Sequence, residues 1–105
     1  MLMTTTDQIP GRDIGEILGI AIGSTIRARN VGSDVLAGLR NVVGGEVTQY
    51  TSLMSEAREQ AIQRMLEEAE SLHADAVIGV RLTTSNVANG AAEIVAYGTA
   101  VKLAY

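Results

Sequence analysis

DAVIGVRLTTSNVANGAAEIVAYGTAVKLAY, residues 75–105, is the stretch that decides the fold. Val, Ile, Thr and Tyr dominate it, and Asn89-Gly90 divides it into two arms. Asn-Gly between β-prone runs is the strongest two-residue hairpin signal, because both turn residues must take positive φ. If Ala88 faces Ala91, Leu82 falls opposite Tyr97 and Val80 opposite Thr99. At about 3.3 Å per residue each arm reaches on the order of 45 Å, whereas a compact domain of about 100 residues has a radius of gyration near 13 Å. Arms that long must bend or run onto a neighbouring copy. Gly79 and Gly98 lie near mid-arm, where a bulge would produce the bend.

Upstream, Thr4-Thr5-Thr6 is a β-prone start closed by Pro10-Gly11. Residues 14–28 then alternate: Ile14, Glu16, Leu18, Ile20 and Ile22 share one face, and Gly15, Ile17, Gly19, Ala21 and Gly23 the other. A strand with one bulky and one nearly bare face invites another backbone onto the bare side. Ser33 or Asp34 can cap a short helix to about Asn41, which Gly44-Gly45 stops. Thr48 or Thr51 opens a main helix to about Leu72, with Tyr50, Leu53, Met54, Ala57, Ala61, Met65 and Ala69 at three- and four-residue steps. Ile62, Leu66 and Leu72 widen that stripe beyond one sheet contact. The order predicts a single α+β domain over residues 1–105, with one short and one long helix on one face of an antiparallel sheet.

Composition narrows the function. Apolar residues are 47% and charged residues 19% of the chain, a globular profile. Phe and Trp are absent, so the core is aliphatic and elements pack closely. A net charge of -4 without a basic block argues against nucleic acid, which needs Lys and Arg clustered on one face. Seven of the eight basic residues are Arg, the cation suited to interfacial pairing. No Cys is present, which removes disulfides, thiolate nucleophiles and Cys-based metal sites. The most apolar stretch, residues 14–26, contains Glu16 and is too short to span a bilayer. With no signal peptide in residues 1–13, a cytoplasmic protein without membrane partners is expected.

Gly44-Gly45-Glu46, Tyr50, Ala57-Arg58, Met65, Ala74-Asp75-Ala76-Val77, Arg81, Glu93 and Tyr97-Gly98-Thr99-Ala100-Val101, together with Arg40 and the Gly19 to Gly23 region, form an ordered set that resembles the YbjQ-like family of small bacterial proteins. The resemblance covers nearly the whole chain. It implies a β-α-β-β core related to the dodecin fold, assembled as a ring-shaped homopentamer with short strands crossing between subunits. It also implies the family's heavy-metal-binding label, hence a divalent metal as cofactor. The chain departs from the family at His73, where Gly usually precedes Ala-Asp-Ala-Val, and its lack of Cys weighs against a soft metal.

Two constellations carry the candidate chemistry. Glu70 and His73 stand at i, i+3 with Asp75 just beyond, a spacing that sets two metal ligands on one helical face. The competing reading is a His placed at a helix C-terminus by the macrodipole. Gly44-Gly45-Glu46 with Arg40 and Arg58 offers backbone N–H groups and a guanidinium to an anion or small ligand. Its competing reading is turn chemistry with Glu46 paired to an Arg. Glu67, Glu68 and Glu70 are a solvated helix face expected to pair partly with Arg64, and Met54 and Met65 are core. No phosphate-binding loop or nucleophile constellation is present. The sequence therefore predicts a non-enzymatic, homo-oligomeric binding or scaffold protein. Its alternative is a small-molecule or flavin-type carrier, or an enzyme whose site forms only between subunits.

Overall fold

The structure is a computed structural model that describes residues 1–28, 45–88 and 91–104. Its elements are β1 (Leu2–Met3), β2 (Ile14–Ala28), α1 (Gly45–Ser71), β3 (Ala76–Ala88) and β4 (Ala91–Leu103). They build a four-stranded sheet in the order β1-β3-β4-β2, with α1 across one face. The expected short helix, with Arg40 and the Asn89-Gly90 turn, lies outside the described residues.

The sheet is mixed rather than antiparallel. β1 runs parallel to β3, pairing Leu2 with Ala76 and Met3 with Val77. Beyond it the chain stays attached through backbone bonds from Thr4 N to Val77 O, Val80 N to Thr4 O and Gly79 N to Thr6 O. Arg81 Nη1 adds a bond to Thr5 O at 2.8 Å. Two paired residues leave no periodic trace, so the parallel edge was invisible as a pattern.

The hairpin forms, with Ala88 opposite Ala91. Its register then slips twice, between Asn86 and Ala88 and between Ile78 and Arg81. Leu82 consequently faces Ala96, Arg81 faces Tyr97 and Ile78 faces Thr99, correcting the straight-ladder pairing. Each bulge inserts one residue and moves all later partners by one. The second is the mid-arm bulge anticipated at Gly79, whose φ of 62° is a conformation that glycine adopts without strain.

The helix is longer at its start than the Thr48 or Thr51 boundary, beginning at Gly45, and it ends at Ser71. Its Ala57, Ala61, Met65 and Ala69 are fully buried, and Ile62, Leu66 and Met54 pack partly against the same core. The small side chains meet the bare face of β2 as predicted. A Cβ at Gly23 would overlap the backbone of Ala61 and Met65, so only glycine lets α1 lie directly on the strand. Ala21, Ile94, Ala96, Ala100, Val77 and Val80 complete this core. A smaller cluster of Ala76, Val101 and Leu103 is covered by Ile9, Ile14 and Ile78.

Candidate functional site

The end of α1 holds the first candidate constellation. Ala74 N donates to Ala69 O at 3.1 Å, and His73 N donates to Glu70 O at 2.9 Å. These two bonds make a Schellman motif with His73 at the left-handed position, and its φ is 63°. Glycine suits that position best, because it has no Cβ to strain the left-handed backbone.

Asp75 follows as a structural tether. Its backbone N donates to Val101 O at 2.8 Å, and its Oδ2 accepts Leu103 N at 2.9 Å. The carboxylate fastens the helix exit to the end of β4, with one oxygen already engaged. Glu70 and His73 are exposed. Among the described residues no three His, Cys, Asp or Glu side chains converge on a metal position. The donors among the described residues of one subunit therefore do not fit a structural zinc-type ion, which wants three or more protein ligands.

Of the second constellation, Arg58 is described: it is exposed on α1 and donates from Nη2 to Ser55 Oγ at 3.0 Å. Glu46 lies in the first turn of α1. Arg40 falls outside the described residues. A depression of about 380 Å³ sits in the turn of residues 8–14, lined by that turn's own residues, including Arg12 and Asp13.

On the sheet face away from α1, Ile20 is 64%, Ile22 46%, Ile26 61% and Tyr97 40% exposed. Ile22 and Tyr97 are directly paired across β2 and β4. The alternation of β2 was legible from Ile20 onward, but the bulge between Ile17 and Gly19 reverses its start: Ile17, expected on the bare face, is exposed, and Leu18, expected beside Ile20, packs against the core. Sequence reasoning missed three arginine contacts. Arg81 holds Thr5, Arg27 Nη2 reaches Gln60 Oε1 at 3.0 Å, and Arg64 Nη1 reaches Ser24 O at 2.6 Å. Buried nearby, Thr25 Oγ1 and Arg27 Nε have no hydrogen-bond partner among the described residues. Long-range contacts between single side chains and backbone leave no sequence spacing to read.

Known proteins resemble this chain along its whole length. The YbjQ family model, described as "Putative heavy-metal-binding", matches residues 1–104. A UPF0145 protein of Methanosarcina acetivorans is 57% identical, over 98% of this chain and 97% of its own length. Another, from Archaeoglobus fulgidus, is 53% identical over 98% and 95%, and one from Vibrio campbellii is 52% identical over 98% and 99%. Relatives thus occur in archaea as well as bacteria. A crystal structure of a protein of unknown function in the DUF74 family, from Pediococcus pentosaceus, shares the fold with a TM-score of 0.66 at 18% identity, covering 99% of this chain and 98% of that one. Among the described residues no helix is long and apolar enough to cross a membrane. From the full-length match and these relatives, the chain belongs to the YbjQ family.

Proposed function

We propose that this protein is a non-enzymatic binding scaffold that assembles as a dodecin-like, ring-shaped homopentamer and binds its ligand where subunits meet. The observation that carries the reading is the exposed row Ile20, Ile22 and Ile26 with Tyr97. Contiguous apolar surface of this kind marks interaction sites in soluble proteins. Surface area points the same way. A monomer of 11.0 kDa normally exposes about 5,600 Å², while this chain exposes 6801 Å². The difference, about 1,200 Å², lies at the low end of what one subunit gives up to two standard-sized interfaces. The chain is also drawn out to 58 Å, with a radius of gyration of 17.4 Å against about 13 Å for a compact domain of this length.

The partner is a second copy because the sheet presents unlike surfaces at its two sides. β2 is outermost on one side, and β3 beyond β1 has no strand partner among the described residues on the other. Unlike surfaces that pair head to tail close into a ring where the rotation between copies closes, and the five-subunit ring is the closure this reading takes. The family's metal label fits such an assembly, since five copies of Glu70 and His73 would bring together ligands that are not gathered among the described residues of one subunit. A native mass spectrum recorded with and without zinc, nickel and copper tests both parts. Five-subunit mass with stoichiometric metal supports the whole reading. Five subunits with no metal retain the scaffold and remove the metal, and a monomer overturns the proposal.

A further inference from the structure

We propose that the seam between α1 and the outer strand β2 binds a small oxyanion, a phosphate or a carboxylate, through Arg27 and Thr25 with Arg64 beside them. An acceptor is missing at this seam. Thr25 is 3% exposed, and neither its Oγ1 nor the buried Nε of Arg27 has a hydrogen-bond partner among the described residues. A guanidinium nitrogen can only donate, and a hydroxyl can donate to the same oxygen. Buried donors without an acceptor are costly, and a bound ion is one of the few things that satisfies them.

The two groups share a side of the strand. A Cβ at Gly23 would meet α1, so at the two-residue period of a strand Thr25 and Arg27 also stand on the α1 side of β2. Arg27 Nη2 donates to Gln60 Oε1 at 3.0 Å, and one helical turn further on Arg64 Nη1 donates to Ser24 O at 2.6 Å. Both acceptors are neutral, so these bonds fix the guanidinium groups without neutralising them. Glu56 and Glu59, the carboxylates that precede Gln60 on α1, are exposed, and Arg27 bonds the amide rather than either of them. A water could accept from Nε, but it would leave the positive charge at the seam uncompensated. An oxyanion supplies the acceptor and the charge together, and a guanidinium fork takes two of its oxygens at once. Every group comes from one subunit and none is a metal candidate, so the site stands independently of the ring and of its metal.

Inorganic phosphate and acetate are the probes, titrated by calorimetry into the full chain at low ionic strength. Arg27→Met keeps the aliphatic stem and should weaken binding about tenfold or more, the loss expected for one charge-assisted bond. Thr25→Val should weaken it severalfold, and Lys102→Met, which removes a cation at the far end of β4, should leave it unchanged. Either anion bound with this pattern supports the site, and the two affinities say which source it takes. Thermal unfolding at one fixed protein concentration gives a second readout. Without phosphate, T25V should melt at or above wild type, because its hydroxyl has no partner to lose, and phosphate should raise the wild-type midpoint more than that of T25V. No binding of either anion would leave the unpaired groups to water and overturns the proposal. So does binding that R27M leaves intact or that K102M weakens equally. T25V melting well below wild type without phosphate also overturns it, since that would give the hydroxyl a partner within the chain. A monomeric wild type would count against the ring and leave this comparison intact.

Discussion

Replacing His73 with glycine should stabilise the fold while deleting the chain's one imidazole. His73 occupies the left-handed region at φ 63°, which costs an L-residue roughly 1–2 kcal/mol. Histidine tolerates that region better than most side chains, so the lower figure applies. Glycine removes this strain but adds unfolded-state entropy worth about 0.4–1 kcal/mol. The balance is a net gain of up to about 0.5 kcal/mol, or about 2–4 °C in midpoint for a domain of this size. His73→Val should move the other way by about 1 kcal/mol or more, because a β-branched residue is poorly accommodated at positive φ. Thermal and urea unfolding at one fixed protein concentration measure both, since assembly makes the midpoint concentration-dependent. H73G melting several degrees below wild type, or H73V melting above it, would refute the assignment of His73 as a strained helix cap. The same variant serves the metal question cleanly. Any loss of metal uptake in H73G cannot be attributed to a damaged fold.

Gly23→Ala should destabilise by about 1–3 kcal/mol, the usual cost of overpacking, because its Cβ would meet the backbone of α1; urea unfolding reads this directly. Asp75→Ala should cost about 1–3 kcal/mol by leaving Leu103 N without its acceptor, and amide exchange at Leu103 should accelerate. Ile22→Lys should dissociate the assembly on size-exclusion chromatography while far-UV circular dichroism keeps its subunit spectrum, since Ile22 faces away from the core. Val80→Pro removes the donor to Thr4 O, so it should free the N-terminal segment and weaken fold and assembly together.

Local chemistry explains what could be read before the structure. The hairpin was legible because turn residues and β-propensity agree over about thirty residues, and α1 because small and apolar residues recur at helical spacing from Ala57 to Ala69. The bare face of β2 correctly announced a close helix contact at Gly23. Register failed by one and then two residues, because bulges depend on how strands meet and not on either strand alone. At the candidate site, Asp75 has the right residue type for a ligand, yet its oxygen is taken by Leu103 N, a partner 28 positions away. His73 read as a ligand type, whereas its left-handed φ follows from how the helix ends, which residue type alone does not announce. Arg64 and Arg81 gave no warning, since each acts on a distant carbonyl that sequence does not distinguish from any other.

The central claim is that the exposed face of the sheet is covered by other copies of the same chain. Sedimentation equilibrium of the purified protein tests it most directly. Five subunits of 11.0 kDa give a predicted mass of about 55 kDa that persists on dilution, as expected for an interface of standard size. A mass near 11 kDa at every concentration would mean that the apolar face is not a surface for self-assembly, and would contradict the account.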